Sequence, residues 1–136
     1  MTTKTILIAD DDRDLVEALA LRCRTMELRV VVAYDGITAI NRIHEEKPDL
    51  VCLDVCMPSG SGLGVCEMLV SDERFHSIPM IILTGKTDHE IVRRCHDLCV
   101  YYVLKSHDVW ERVEPLISEL LNVPPLPTES ASPSGV

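Results

Sequence analysis

Each of five short apolar runs in this 136-residue chain is followed by a residue able to do chemistry. Asp10, Asp11 and Asp12 follow the run from Thr5 to Ala9, and Tyr34-Asp35 follow Val30 to Ala33. Asp54 follows Leu50 to Leu53, Thr84-Gly85 follow Met80 to Leu83, and Lys105 follows Tyr101 to Leu104. Carboxylates such as Asp10, Asp11 and Asp54, brought together, repel one another and need either a raised pKa or a bound cation. Hard oxygen donors suit Mg²⁺, which uses one or two carboxylates together with phosphate oxygens. A carboxylate is also a nucleophile toward phosphorus, and the product is an aspartyl-phosphate. A lysine ammonium and a threonine hydroxyl can take the remaining phosphoryl oxygens. These residue types together suit metal-assisted phosphoryl transfer onto an aspartate.

The elements that must position them are legible in the periodicity. The five runs are β-branched-rich and nearly continuous, as expected of strands buried on both faces. Helix-period segments lie between them. The first carries Leu15, Val16, Leu19, Ala20, Cys23 and Met26, with Asp12 or Asp14 suited to cap it rather than to bind a ligand. The second carries Ile37, Ile40 and Ile43, between Asp35-Gly36 and Lys47-Pro48. The third runs from about Gly64 to Ser71. The fourth carries Ile91, Val92, Cys95 and Leu98, with Asp88 as its cap. The last places Val109, Val113, Leu116, Ile117, Leu120 and Leu121 on one face. Pro115 leaves two forms open there: a short turn before a helix starting near Pro115, or one kinked helix. The order βαβαβαβαβα argues for an α/β parallel sheet with right-handed crossovers. In such sheets ligands bind beyond the carboxyl ends of the strands, where the candidate residues all emerge.

Composition narrows the function classes. The chain is 46% apolar, 26% charged and 4% aromatic, with a net charge of −9. The length predicts one domain, large enough to bury a core without staples. The acidity disfavours direct nucleic-acid binding, which usually shows a basic patch. No apolar run approaches the ~20 residues that span a bilayer, and no signal-peptide core is present. A cytoplasmic location, off the membrane, is therefore expected. Six cysteines sit in apolar stretches and read as reduced small hydrophobes. Cys95, His96 and Cys99 lack the spacing of a zinc site. After Asn122 the Pro/Ser-rich composition predicts a flexible tail or linker over 123–136, leaving 1–122 as the folded domain.

With Asp10-Asp11, Asp54, Met57-Pro58, Gly62, Thr84 and Lys105 in order at these separations, the chain resembles a response-regulator receiver domain of two-component signalling. The resemblance covers about residues 3 to 122. It implies a flavodoxin-like (βα)5 doubly wound sheet of strand order 2-1-3-4-5, with Asp54 as phosphoacceptor. It further implies that Asp11, Asp54 and the backbone carbonyl of Cys56 ligate Mg²⁺, with Asp10 acting through water. Thr84 and Lys105 would contact the phosphoryl oxygens. Tyr102 matches the switch aromatic that turns inward when Thr84 moves. The implied phosphodonor is a sensor histidine kinase or phosphotransfer protein. The implied downstream partners are an output domain or a protein target, and a phosphorylation-dependent homodimer.

Three departures from the family pattern stand out. Lys105 is followed by Ser106 where the family usually has proline, which predicts a trans bond and a reshaped final loop. Leu98-Cys99 replaces the Gly-Ala often found before the last strand. Cys56 and Lys86 occupy the two positions that tune phosphoryl lifetime in the family. The resemblance implies a signalling switch rather than an enzyme, changing its α4–β5–α5 surface. The alternative is a receiver-fold scaffold that binds a partner without phosphorylation. An aspartate-nucleophile phosphatase would need Asp-x-Asp where the chain has Asp54-Val55-Cys56. A flavodoxin's phosphate loop would not carry three aspartates after the first strand.

Overall fold

A computed structural model describes residues 3–85 and 88–126. Five strands alternate with five helices: β1 (Thr5–Ala9), α1 (Arg13–Thr25), β2 (Arg29–Ala33), α2 (Gly36–Glu46), β3 (Leu50–Asp54), α3 (Gly62–Val70), β4 (Met80–Thr84), α4 (His89–Leu98), β5 (Tyr101–Leu104) and α5 (Val109–Leu121). The strands are parallel in the order β2-β1-β3-β4-β5, the doubly wound sheet that the family resemblance implies. Strand residues alternate between two cores. Ile6, Ile8, Cys52, Ile81, Leu83 and Val103 meet α1 and α5 on one side. Leu7, Val31, Val51, Leu53 and Ile82 meet α2, α3 and Cys95 of α4 on the other. The central strands β1, β3 and β4 are buried throughout, which accounts for their unbroken apolar runs.

Helix starts follow their caps. Asp12, Asp35, Ser61 and Asp88 each accept a backbone N–H from the first turn of the helix they precede. The structure corrects the start of α3, which lies at Gly62 rather than near Gly64. Two glycines in the first turn read as loop because glycine is a poor helix former. Gly62 is needed there, since a Cβ on it would lie 2.2 Å from the Asp54 carbonyl oxygen. α5 settles the Pro115 alternatives as one helix running through the proline. Pro115 and Glu111 are both exposed, so the carbonyl that loses its i+4 donor lies on the solvent side.

Asn122 closes α5 in the left-handed region at φ 55°. The next residues fold back rather than away. Ser118 Oγ donates to the Val123 carbonyl at 2.5 Å and the Leu126 N–H to Glu114 Oε2 at 2.7 Å. Val123 and Leu126 pack on the α1/α5 core. The rest of the Pro/Ser-rich stretch, 127–136, and Lys86 lie outside the described residues.

Candidate phosphoacceptor site

The carboxyl ends of β1, β3, β4 and β5 bring Asp10, Asp54, Thr84 and Lys105 to one edge. Parallel pairing sets this: Asp54 is level with Leu83, and Thr84 with Leu104. Backbone bonds hold the strand ends beyond the ladder. The Lys105 N–H donates to the Thr84 carbonyl at 2.7 Å, the Val55 N–H to Leu83 at 2.9 Å and the Asp10 N–H to Ala33 at 3.2 Å.

Within this frame Asp10 is fully buried, Asp54 is 4% exposed and Thr84 is 2% exposed. One carboxylate oxygen from each of Asp10, Asp11 and Asp54 lies within 4.8 Å of the others. Lys105 Nζ bridges two of them, 2.9 Å from Asp10 Oδ2 and 3.3 Å from Asp54 Oδ1. The other Asp10 oxygen accepts the Asp12 N–H at 2.9 Å. Asp11 is exposed, so the cluster opens to solvent on its side.

The electrostatics record this crowding. Burial holds the Asp54 carboxyl above its ordinary pKa, and the Asp10 charge adds to the effect. Lys105 opposes it without cancelling it, and Asp11 raises it further. Burial alone would lower the Lys105 pKa, but its hydrogen bond and charge contact with Asp10, then Asp54, hold it above the ordinary lysine value. Three carboxylates thus face one ammonium, leaving an excess of negative charge in a mostly buried pocket. Hard oxygen donors converging with excess charge fit a divalent cation such as Mg²⁺. Asp10, Asp11 and Asp54 are the side chains that could hold it, and they are the one such acidic group among the described residues.

The other predicted residues lie around this cluster and along β5. Cys56 is exposed in the β3–α3 loop. Tyr102 pairs with Ile82 on β4 and is 46% exposed. Its neighbour Val103 enters the α1/α5 core, so Tyr102 faces the α4 side of the sheet. The Lys105–Ser106 bond is trans, as predicted. The final loop is held by Ser106 Oγ bonding to the Asp108 carboxylate and by the Val109 N–H donating to the Ser106 carbonyl at 3.0 Å. Cys99, the second residue of the Leu98-Cys99 pair, caps α4 in the left-handed region at φ 58°. Trp110 packs in the α1/α5 core with the Arg22 guanidinium 5.5 Å from its ring.

One group on the β3–α3 loop is not legible in the sequence. The Gly36 N–H donates to the Pro58 carbonyl at 2.9 Å and the Ile37 N–H to Ser59 Oγ at 3.2 Å, tying the β3–α3 loop to the start of α2. The Asp35-Gly36 pair marks a helix start, but nothing in the sequence marks Ser59 as its partner.

Comparison with known proteins places this arrangement. The family model described as the response regulator receiver domain matches residues 6–111. DNA-binding response regulator MtrA of Mycolicibacterium paratuberculosis is 39% identical over 83 residues, 61% of this chain and 36% of its own length. Response regulator GtcR of Aneurinibacillus migulanus is 37% identical over 84 residues, 62% of this chain and 34% of its own length. The chain thus spans about a third of the length of the curated relatives it matches. Among solved structures, the signal receiver domain of a DNA-binding response regulator from Colwellia psychrerythraea aligns with a TM-score of 0.75 at 25% identity, over 85% of this chain and 98% of that one. A phosphorylated cyanobacterial phytochrome response regulator, RcpA, shares the fold with a TM-score of 0.82 at 24% identity, over 93% and 100% of the two chains.

Proposed function

The chain belongs to the response regulator receiver domain family, and on that premise we propose that Asp54 accepts a phosphoryl group in a two-component phosphorelay. The observation that carries the reading is the Lys105 ammonium bridging buried Asp10 and Asp54, with the Asp11 carboxylate in the same cluster. Asp11, Asp54 and the Cys56 carbonyl would hold Mg²⁺, with Asp10 acting through water. When bound, Mg²⁺ would offset the negative charge of the carboxylates and of the incoming phosphoryl group.

In the transfer, an Asp54 carboxylate oxygen forms a bond to phosphorus as the donor's P–N bond breaks. The electron pair leaves with the donor imidazole of a histidine kinase or phosphotransfer protein. Lys105 then exchanges its Asp54 contact for a phosphoryl oxygen, and Thr84 takes another. Movement of Thr84 lets Tyr102 leave its half-exposed position for the space on the α4 side. The two populations expose different α4–β5–α5 surfaces. The domain is a signalling switch whose own chemistry extends to self-phosphorylation from small donors and slow hydrolysis of the aspartyl-phosphate. Residues 1–122 form the receiver, with Val123 and Leu126 packed on its α1/α5 core at the start of the Pro/Ser-rich stretch. The output is an attached domain, a separate target or a phosphorylation-dependent homodimer.

The test is incubation of the full chain with Mg²⁺ and acetyl phosphate, followed by intact-mass measurement. One acid-stable, base-labile phosphoryl group is expected in wild type and none in Asp54→Asn. A wild-type chain that takes up no phosphoryl group contradicts the reading and favours an unphosphorylated scaffold.

A further inference from the structure

Resting on that phosphoacceptor reading, we propose that Asp35, Gly36 and Ser59 form a clamp that positions the β3–α3 loop, and with it the Cys56 carbonyl, for divalent-cation binding. The loop leaves the sheet after Asp54 and returns at Gly62. Its near end is closed by the Gly62 N–H donating to the Val55 carbonyl at 3.2 Å. Its far end is held from another element altogether. The first turn of α2 has backbone N–H groups with no partner inside the helix. Gly36 gives its N–H to the Pro58 carbonyl at 2.9 Å, and Ile37 gives its own to Ser59 Oγ at 3.2 Å. Asp35 accepts the third, from Thr38, at 2.7 Å. The Ser59 hydroxyl in turn donates to Asp35 Oδ1 at 3.3 Å. One helix start is thus capped jointly by its own aspartate and by the loop that carries the implied carbonyl ligand.

Two features show how closely the parts fit. A Cβ on Gly36 would lie 2.8 Å from both the Cα and the carbonyl oxygen of Gly60, so only glycine lets α2 approach the loop. Ser59 itself sits at φ 58°, where a glycine would be unstrained. What serine adds is the hydroxyl, which accepts from Ile37 and donates to Asp35. Groups behind a metal ligand commonly decide its affinity by fixing its orientation. Because binding linkage is reciprocal, a clamp that strengthens cation binding must itself be strengthened by the cation.

The experiment titrates the full chain with Mg²⁺ alone by calorimetry, and measures thermal stability and amide exchange alongside. Ser59→Gly removes both hydroxyl contacts and relieves the left-handed strain, so it is expected to fold at least as stably. Its Mg²⁺ affinity should fall about tenfold. Gly36→Ala wedges the same contact from the other side and should also lose affinity. In wild type, Mg²⁺ should slow exchange at Gly36 and Ile37, and in Ser59→Gly that protection should disappear. Leu69→Ala, a core truncation on α3, should lower stability without moving Mg²⁺ affinity. Wild-type affinity in Ser59→Gly, or an equal fall in Leu69→Ala, overturns the clamp while leaving the phosphoacceptor reading intact. A wild-type chain that binds no Mg²⁺ overturns both.

Discussion

At the carboxyl end of the sheet Asp10 and Asp54 are almost wholly buried, and Lys105 reaches both. Only three and four residues back from Lys105, Tyr102 and Tyr101 on edge strand β5 stand 46% and 44% exposed. The first region is over-determined: strand register, backbone bonds beyond the ladder, a bridging ammonium and a clamped loop fix the same few atoms. The second is loosely held. Cys95 is the one buried residue of α4, and Cys99 closes that helix in a strained conformation. Few buried contacts mean low local stability, and elements that move are drawn from such regions. The difference suits the proposed switch, in which a rigid pole would sense the charge change and a weakly packed face would respond. Rigidity at the pole nevertheless comes with electrostatic conflict, which is where the contrast can be broken.

The largest effect is expected from removing the bridge. Lys105→Met leaves two buried carboxylates facing each other and should cost on the order of 3 kcal/mol in urea unfolding at neutral pH. The cost should shrink below the carboxylate range, where protonation removes the repulsion, and shrink again on adding Mg²⁺. A loss independent of pH would mean that the lysine matters through packing alone.

Next in size is Asp54→Asn. A raised carboxyl pKa means that its contribution to stability is full below the ordinary carboxylate value and is lost as pH rises through the folded-state pKa. Ionised Asp54 therefore opposes folding at neutral pH without a cation. The asparagine variant should melt several degrees higher there, roughly 1–2 kcal/mol. The gap to wild type should close on acidification, and melting curves at two pH values check it.

On the loose face, Cys99→Gly should stabilise by about 0.5–1 kcal/mol, because glycine adopts the left-handed cap without strain. Mg²⁺ affinity should stay put, which would separate the two regions energetically. The smallest effect is chemical. Cys56 and Cys99 are exposed, whereas burial pushes the Cys23 and Cys66 thiols up to about 12 and raises Cys52 and Cys95 as well. Alkylation of the native chain should modify two cysteines and spare four.

The same contrast governs how much of the molecule is legible in its sequence. Strands buried on both faces announce themselves as apolar runs, and a parallel sheet brings the residue after each run to one edge. Asp10, Asp54, Thr84 and Lys105 are legible for that reason. The joint capping of α2 is not, because Asp35 and Ser59 are 24 residues apart and Ser59 has a conformation that its residue type disfavours. Pro115 leaves two forms open because a proline on an exposed helix face costs less than one in a core. Gly62 reads as a helix breaker until the Asp54 carbonyl beside it is known.

Among the three clustered carboxylates, Asp54 is the one proposed to take the phosphoryl group. Borohydride reduction of the phosphorylated chain, followed by peptide mapping, reads the modified residue directly. Conversion is expected at Asp54 alone, dependent on Mg²⁺. Modification at Asp10 or Asp11, or at no aspartate in a chain that has taken up phosphate, contradicts it.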